Sequence, residues 1–206
     1  MNELIIVGGG CLSRIAIDMI EEFYANDYKI IGYIALEKSE EIMNYEYLGN
    51  DEVLEKFSGK IKYALNCVGT DKNNNIRRKI YNNLVAKNFE GINLIDPSAR
   101  LARNVRLGKN ILIMKNVSIG INVEIGDNVI IYPNSTIDHD CKIGSHSHIC
   151  PGVIMAGNIT VGEAVFLGIG CVISNKIEIG DNTIIGAGAV VIKNIEANTI
   201  YKGFRS

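Results

Sequence analysis

The three histidines of the chain, His139, His146 and His148, fall within ten residues of one another. Histidine is the side chain that most readily exchanges a proton near neutral pH. Asp140 directly follows His139, and a carboxylate beside an imidazole can orient the ring and raise its basicity. The pair His139 and Asp140 therefore predicts a general base with an acidic helper.

A strict period of six residues surrounds these histidines. A large aliphatic residue occupies every sixth position from Ile95 to Val191, seventeen times without a slip. A strand repeats about every 2 residues and a helix about every 3.6, so neither alone produces this pattern. The period predicts a parallel β-helix in which each unit is a short strand and a corner, and three units close one triangular coil.

Other repeat positions support the same architecture. Small or β-branched residues, including Cys141 and Cys171, recur four positions after each aliphatic and are predicted to point inward. Asn or Gly is frequent one position earlier, and both tolerate the positive φ that a sharp corner requires. His146 stands at such a corner, which favours a structural or solvated role for it.

Residues 1–94 follow a different pattern and are predicted to form a separate domain. Strands are expected at residues 4–7, 28–36, 63–68 and 91–95, and helices at 13–24, 51–57 and 74–88, with Asp51 as an N-cap. This alternation predicts a small Rossmann-like parallel sheet, followed by the β-helix over residues 95–206.

The glycine loop after the first strand is the candidate ligand site of this domain. Gly8, Gly9 and Gly10 precede a helix, and Gly69 and Thr70 follow the third strand. Ligands bind parallel sheets at the carboxyl ends of the strands, so these residues are predicted to line an acceptor pocket. The loop could hold a phosphate at the helix N-terminus, or it could be a tight turn without a ligand.

Composition excludes several classes of function. A net charge of −2 over 206 residues predicts no nucleic-acid partner and no membrane surface. The first residues contain neither a basic segment nor a long apolar run, so no leader or membrane span is expected. Five scattered cysteines predict reduced thiols and a cytoplasmic location.

The two halves together resemble one family of sugar acetyltransferases. The resemblance lies in the Val-Gly-Gly-Gly at 7–10, the Arg-Arg-Lys-Ile-Tyr at 77–81, the Asp-His-Asp-Cys at 138–141 and the Ile-Gly-Ala-Gly-Ala at 185–189. Members of this family N-acetylate nucleotide-linked 4-amino sugars or O-acetylate sialic acids. The resemblance implies a left-handed β-helix, acetyl-CoA as co-substrate and no metal.

The resemblance also implies roles for individual residues. His139 becomes the base that deprotonates the acceptor, and Asp140 its helper. His148 and Gly157 are implied near the acetyl thioester, with Ile169 and Ala187 along the coenzyme A arm. Gly157 stacks one coil above His139, so its missing side chain is expected to leave room for the acetyl group, and its N–H to serve the thioester oxygen.

His139 and His148 lie nine residues apart, which is half a coil. In one chain their side chains therefore point to opposite sides of the prism. They can share a site only if His148 comes from a neighbouring subunit. This offset, like the family, predicts a homotrimer with active sites between subunits.

The acceptor is less constrained than the catalytic coil. Where the family usually has Gly-His-Gly before the first helix, this chain has Cys11, Leu12 and Ser13, and Ala35 and Leu36 replace an acidic pair. A nucleotide-linked amino sugar is the preferred acceptor, with O-acetylation of sialic acid as the alternative.

Two readings from other classes of protein stay open. Three close histidines could hold zinc between subunits, as in γ-class carbonic anhydrases. A trimeric scaffold without catalytic activity is the second. Neither accounts for the pair His139 and Asp140, and the zinc site does not account for the N-terminal sheet.

Overall fold

The computed structural model describes residues 1–42, 44–69 and 75–203. The chain divides between Leu94 and Ile95 into two compact units. The strands of the first unit are β1 (Asn2–Val7), β2 (Tyr28–Ile34), β3 (Tyr47–Gly49) and β4 (Tyr63–Asn66), and its helices are α1 (Cys11–Phe23), α2 (Leu54–Phe57) and α3 (Asn75–Ala86), with 3₁₀ turns at Glu40–Ile42 and Asp51–Val53. No helix in the described part of the chain is long and apolar enough to cross a membrane.

The first unit is built on a four-stranded parallel sheet in the order β3-β2-β1-β4. Its central strand β1 is an apolar run, and Leu4, Ile5 and Ile6 are fully buried because helices cover such sheets on their faces. Helix α1 contributes Ala16 and Ile20 to this core. The carboxyl ends of β1, β2 and β4 consequently meet at one edge, where the glycine loop begins.

Two predictions for this unit are wrong in detail. The N-cap before the 51–57 segment is Asn50, whose side chain accepts a hydrogen bond from the N–H of Glu52 at 3.1 Å, and not Asp51. The strand predicted at 91–95 shrinks to Leu94–Ile95 and belongs to a sheet of the repeats. The fourth strand of the parallel sheet is instead β3, whose three residues are too few to show a period.

The second unit is a parallel β-helix of three sheets, each made of two-residue strands stacked eighteen residues apart, except that the last strand follows its neighbour by sixteen. The five-stranded sheet contains Arg106–Leu107, Glu124–Ile125, Lys142–Ile143, Thr160–Val161 and Glu178–Ile179; the six-stranded sheet contains Arg100–Leu101, Ser118–Ile119, Thr136–Ile137, Ile154–Met155, Val172–Ile173 and Val190–Val191; the seven-stranded sheet contains Leu94–Ile95, Leu112–Ile113, Ile130–Ile131, His148–Ile149, Phe166–Leu167, Ile184–Ile185 and Ile200–Tyr201. The second residue of nearly every strand points inward, and these aliphatic residues form the core, in which Cys141 and Cys171 are also buried. The interior predicted from the six-residue period is confirmed.

The corners between sheets have the predicted backbone. Asn122, Asp140 and His146 have φ values of 59°, 56° and 65°, and asparagines fill most of the equivalent corners. A left-handed φ is costly for residues other than Gly, Asn and Asp, which explains this preference. Corner side chains one coil apart stack into hydrogen-bonded ladders, as between Asn116 Nδ2 and Asn134 Oδ1 at 3.3 Å.

The outer surfaces of the sheets differ in chemistry. The five-stranded sheet presents charged residues, and Arg106 pairs with Glu124. The six-stranded sheet presents Ile154, Val172 and Val190 in register on successive coils, with 38–49% of each residue exposed. A stacked apolar stripe of this kind, unlike scattered apolar residues, is typical of a protein interface.

Candidate active site

His139 lies on the corner that follows the strand Thr136–Ile137 of the six-stranded sheet. Its Nδ1 is 2.7 Å from Oδ2 of Asp140, and 46% of its side chain is exposed. Because a carboxylate only accepts hydrogen bonds, Nδ1 carries the proton and Nε2 keeps its lone pair. Nε2 has no hydrogen-bond partner among the described residues, so it can accept a proton from a bound molecule.

The charges around the ring favour its protonated form. The hydrogen bond to Asp140 raises the pKa of His139 more than desolvation of the ring lowers it, and the charges of Asp138 and Asp140 add smaller effects that also raise it. The pKa of Asp140 is lowered, first by a hydrogen bond from Asn122 and then by the one from His139. Asp140 is therefore an ionised acceptor, and His139 is a stronger base than an isolated histidine.

Asp140 is held from the coil below. Asn122 Nδ2 donates to Asp140 Oδ1 at 3.0 Å, and Asn104 Nδ2 donates to Asn122 Oδ1 at 3.3 Å. We call Asn104, Asn122 and Asp140 the acid ladder. Each carboxylate oxygen of Asp140 thus accepts from a different side chain, which fixes the plane of the carboxylate relative to the imidazole.

The backbone at His139 is fixed in an unusual way. At three equivalent positions the N–H group is capped by a side chain of the next coil, as when the N–H of Lys109 donates to Asp127 Oδ1 at 2.8 Å. The next coil at His139 offers only Gly157, which has no side chain. Asp138 replaces that cap and accepts from the N–H of His139 at 2.8 Å.

Gly157 lies directly against the imidazole. A Cβ atom at Gly157 would collide with Nε2 of His139 and would lie 2.5 Å from its Cε1. The space left by the missing side chain is therefore filled by the ring itself, which corrects the expectation that it stays open for an acetyl group. The N–H of Gly157 has no acceptor among the described residues, so it remains available to a ligand oxygen.

His148 lies on a different sheet from His139. It belongs to the seven-stranded sheet, is 1% exposed, and stands between the rings of Tyr132 and Phe166, with centroid distances of 6.1 and 6.0 Å. A single chain does not bring the two histidines together. The predicted contact of His148 with the donor stays a prediction, and it requires a second copy of the chain.

Ile169 and Ala187 are both exposed and stack on one corner, where the N–H of Gly188 donates to the carbonyl of Ile169 at 2.8 Å. This corner precedes the strands Val172–Ile173 and Val190–Val191. It therefore forms one edge of the six-stranded sheet, and the corner of His139 and Gly157 forms the other. Within one chain, Gly157 therefore lies at one edge of the six-stranded sheet, and Ile169 and Ala187 lie at the other.

His146 is enclosed at its corner and not solvated. It is 7% exposed, and its Nδ1 is 3.0 Å from Nδ2 of Asn128, whose Oδ1 accepts from Asn110 Nδ2 at 2.9 Å. We call Asn110, Asn128 and His146 the histidine ladder. Among the described residues, no group of three or more His, Cys, Asp or Glu side chains is arranged to hold a metal ion.

The first unit contains a cavity of about 520 Å³ at the carboxyl edge of its sheet. Gly8 and Gly9 line it, together with Leu36, Ile76 and other mostly apolar residues, whereas Gly10 and Gly69 are not part of its wall. Thr70 lies outside the described residues. Gly8 has a φ of 131°, and a Cβ there would lie 2.9 Å from the carbonyl carbon of Cys67, so only glycine allows this approach.

The N-terminus of α1 is open for a ligand. Gly10, its N-cap residue, provides no side-chain cap, and the first turn contains no acidic residue. Ser13 is fully buried, and its hydroxyl has no hydrogen-bond partner in the described structure. The uncapped N-terminus of a helix is suited to an anion such as a phosphate.

Two residues of the His139 site were not among the predicted site residues, Asn122 and Asp138. Asn122 looks like every other corner asparagine, and only its position eighteen residues before Asp140 distinguishes it. Asp138 stands where glycine is common in the repeat, and that substitution was the available signal.

Comparison with protein families matches both units. The family model for the PglD N-terminal domain matches residues 3–84. The model for the bacterial transferase hexapeptide, six repeats, matches residues 98–139, 122–157 and 158–193. No curated protein shows a significant sequence match.

Solved structures match nearly the whole chain. PerB from Caulobacter crescentus, in complex with CoA and GDP-perosamine, is 28% identical with a TM-score of 0.84, over 96% of this chain and 92% of that one. The acetyltransferase domain of PglB from Neisseria gonorrhoeae, in complex with acetyl coenzyme A, is 25% identical with a TM-score of 0.85, over 98% and 97%. WeeI from Acinetobacter baumannii, at 15% identity and a TM-score of 0.67, shares the fold. The predicted fold class, a Rossmann-like sheet followed by a left-handed parallel β-helix, is confirmed.

Proposed function

Because the chain belongs to the hexapeptide-repeat sugar acetyltransferases with a PglD-type N-terminal domain, we propose that it transfers the acetyl group of acetyl-CoA to the amine of a nucleotide-linked amino sugar. One of the similar structures is a GDP-perosamine N-acetyltransferase, 27% identical over 98% of this chain. The observation that carries the proposal is the half-exposed His139, whose Nδ1 is bound to Asp140 while Nε2 is available.

The chemistry follows from this arrangement. Acetyl-CoA supplies the acetyl group as a thioester. His139 Nε2 accepts the proton of the attacking amine as the new C–N bond forms; the C–S bond then breaks, and the imidazolium returns the proton to the CoA thiolate that leaves. Asp140 stabilises the resulting imidazolium, and the N–H of Gly157 donates to the carbonyl oxygen as negative charge develops on it.

The first unit binds the nucleotide portion of the acceptor. Its cavity accommodates a base and ribose against apolar walls that include Leu36 and Ile76. The N-terminus of α1 receives the phosphates. Because Leu12 and Ala35 replace polar residues of the family, recognition relies more on backbone N–H groups than on side chains.

The active enzyme is a homotrimer that acts in the cytoplasm. If the apolar stripe of Ile154, Val172 and Val190 faces a three-fold axis, the His139 edge of each chain meets the Ile169 edge of a neighbour. Each site then combines His139 and Gly157 of one copy with Ile169 and Ala187 of the next. The exposed apolar surface of Ile169 suits the pantetheine arm of the donor.

The assembly is tested by placing a charge on the stripe. Val172→Lys is expected to give monomers in sedimentation velocity and to remove activity, because a lysine cannot be buried at the axis without a partner. Thr160→Lys on the five-stranded sheet is the matched control and should remain trimeric. An active Val172→Lys monomer would contradict the shared site.

The activity is tested by acceptor screening. Purified protein is incubated with acetyl-CoA and a panel of nucleotide-linked amino sugars, nucleotide-linked sugars without an amine, and sialic acids, and free CoA thiol is measured. We expect release only with an amino sugar nucleotide, with the acetylated product confirmed by mass spectrometry. Release of CoA with sialic acid alone would establish O-acetylation instead. If no acceptor caused release, the result would contradict the proposed activity and favour a trimeric scaffold without catalytic activity.

A further inference from the structure

Asn122 is the one described side chain that donates to the carboxylate of Asp140 from another coil. Its Nδ2 is 3.0 Å from Oδ1, the oxygen that does not face His139. An exposed Asp side chain otherwise rotates freely about two bonds. The contact therefore restricts the group on which the tautomer and orientation of His139 depend.

The orientation of the Asn122 amide is itself fixed. The ionised carboxylate of Asp140 only accepts, so the NH₂ group of Asn122 faces Asp140 and its Oδ1 accepts from Asn104 Nδ2 of the coil below. If the amide of Asn122 were flipped, its NH₂ group would face the NH₂ group of Asn104, and its oxygen would face the carboxylate oxygen of Asp140. The acid ladder thus runs in one direction, from Asn104 through Asn122 to Asp140.

The other ladders provide a baseline for this contact. Asn116 makes the same kind of bond to the amide of Asn134, and Asn110 to that of Asn128. Those hydrogen bonds join neutral amides and stabilise the stacked corners. A bond to a carboxylate is charge-assisted and roughly twice as strong, so the same asparagine has a larger effect on its neighbour here.

We propose that Asn122 is a positioning residue of the acetyl transfer: it holds the carboxylate of Asp140 in the plane that keeps Nδ1 of His139 protonated and Nε2 directed at the acceptor. Asn122 touches neither substrate and acts through Asp140. The proposal rests on the proposed function, since it needs His139 to be the base.

The first test removes the amide without straining the corner. Glycine accepts the φ of 59° at Asn122, so Asn122→Gly deletes the side chain and keeps the backbone. We expect kcat to fall about tenfold with the KM for acetyl-CoA unchanged, by analogy with residues that orient metal ligands, whose loss typically costs about 10–100-fold. Asn116→Gly, at φ 56°, is the matched control and should keep wild-type kcat.

The second test reverses the polarity of the contact. Asn122→Asp keeps the size of the side chain and the acceptor for Asn104, but sets a carboxylate against Asp140. The negative charges of Asp138, Asp140 and the new Asp then all stabilise the protonated form of His139. Its pKa therefore rises, and the acid limb of the pH profile of kcat moves to higher pH. Asn116→Asp should leave the limb where it is.

A double-mutant cycle separates positioning from a general structural role. If Asn122 acts through Asp140, Asn122→Gly should have no further effect on kcat in an Asp140→Ala background. Full additivity, or equal kcat in Asn122→Gly and wild type, would overturn the proposal. If His139→Ala also retained wild-type kcat, the proposed base itself would fail, which is a different outcome.

Discussion

The acid ladder and the histidine ladder are built on the same backbone and end in different chemistry. Both stack two asparagines at positive φ and lead to a histidine on the same stretch of chain. In the histidine ladder His146 itself occupies the corner, and it is 7% exposed. In the acid ladder Asp140 occupies the corner, and His139 stands beside it with 46% of its side chain exposed.

The difference shows how a repeat becomes a site. The coil supplies the corner, the stacking distance and the hydrogen-bonded support at both places. The proposed function relies on three departures from the repeat: a carboxylate at the corner, a histidine before it, and Gly157 in place of a side chain above. His146 lacks these departures, and its imidazole serves as one more ladder member.

The largest expected effect comes from replacing His139, which stands beside the acid ladder, in comparison with His146, which belongs to the histidine ladder. Removing a general base costs a factor of about 10² to 10⁴ in rate, so His139→Ala should lower kcat by that amount with acetyl-CoA affinity nearly intact. His146→Asn restores the commonest corner residue and should leave kcat close to that of the wild type. Steady-state kinetics with a confirmed acceptor make the comparison. Equal losses of kcat in both variants would show that the two histidines do not differ in their catalytic role.

The next effect concerns the glycine above the ring. In Gly157→Ala the new Cβ overlaps the imidazole, so His139 must rotate away from its position. We expect kcat to fall by about 10², approaching the loss of the base itself. Gly186→Ala, whose Cβ would lie 3.4 Å from its nearest neighbours, is the control and should retain activity. A crystal structure of Gly157→Ala with an undisturbed His139 would refute the steric account.

A smaller effect is expected in the pH dependence. The hydrogen bond to Asp140 raises the pKa of His139, and the base must be neutral to work, so activity rises as pH passes upward through that raised pKa. Asp140→Asn removes the charge and lowers the pKa of His139 towards its ordinary value. The acid limb of kcat should therefore move to lower pH while the plateau falls. A limb that stays in place would show that Asp140 does not act on the base.

The smallest effect on catalysis comes from the support of the histidine ladder. Asn128 is fully buried, so Asn128→Gly removes the acceptor of Asn110 and the hydrogen bond to His146 in a place that water reaches poorly. The free energy of unfolding should fall by about 1–3 kcal/mol with kcat unchanged. Urea denaturation at fixed protein concentration measures it, with exposed Asn116→Gly as control. An equal loss of unfolding free energy in both variants would show that burial does not make the hydrogen bonds of Asn128 more stabilising than those of Asn116.

The repeats were the most predictable part of the molecule. Each residue from Ile95 to Val191 has a position in a six-residue unit, so its sheet, its inward or outward direction and its stacked neighbour follow from its number. That arithmetic placed Gly157 against His139. It did not reveal that the imidazole fills the space of the missing side chain, because the rotamer of His139 depends on its hydrogen bond to Asp140.

The first unit was less predictable because its contacts are not periodic. Strand β3 has three residues and one glycine, too few to register as a strand, and it joins the sheet through β2. Asn50 and Asp51 are both good N-caps by residue type, and only the backbone decides between them. Asn122 was missed for the opposite reason, since its residue type is the commonest at its position.

The protonation state of the His139 ring tests the central claim most directly. With ¹⁵N-labelled histidine, the shifts of the three imidazoles can be followed across pH, and His139→Ala identifies its signals. The account predicts that neutral His139 carries its proton on Nδ1, with Nε2 unprotonated, and that its pKa lies above the ordinary value and matches the acid limb of kcat. A neutral ring protonated on Nε2, or a limb unrelated to the titration of His139, would contradict it.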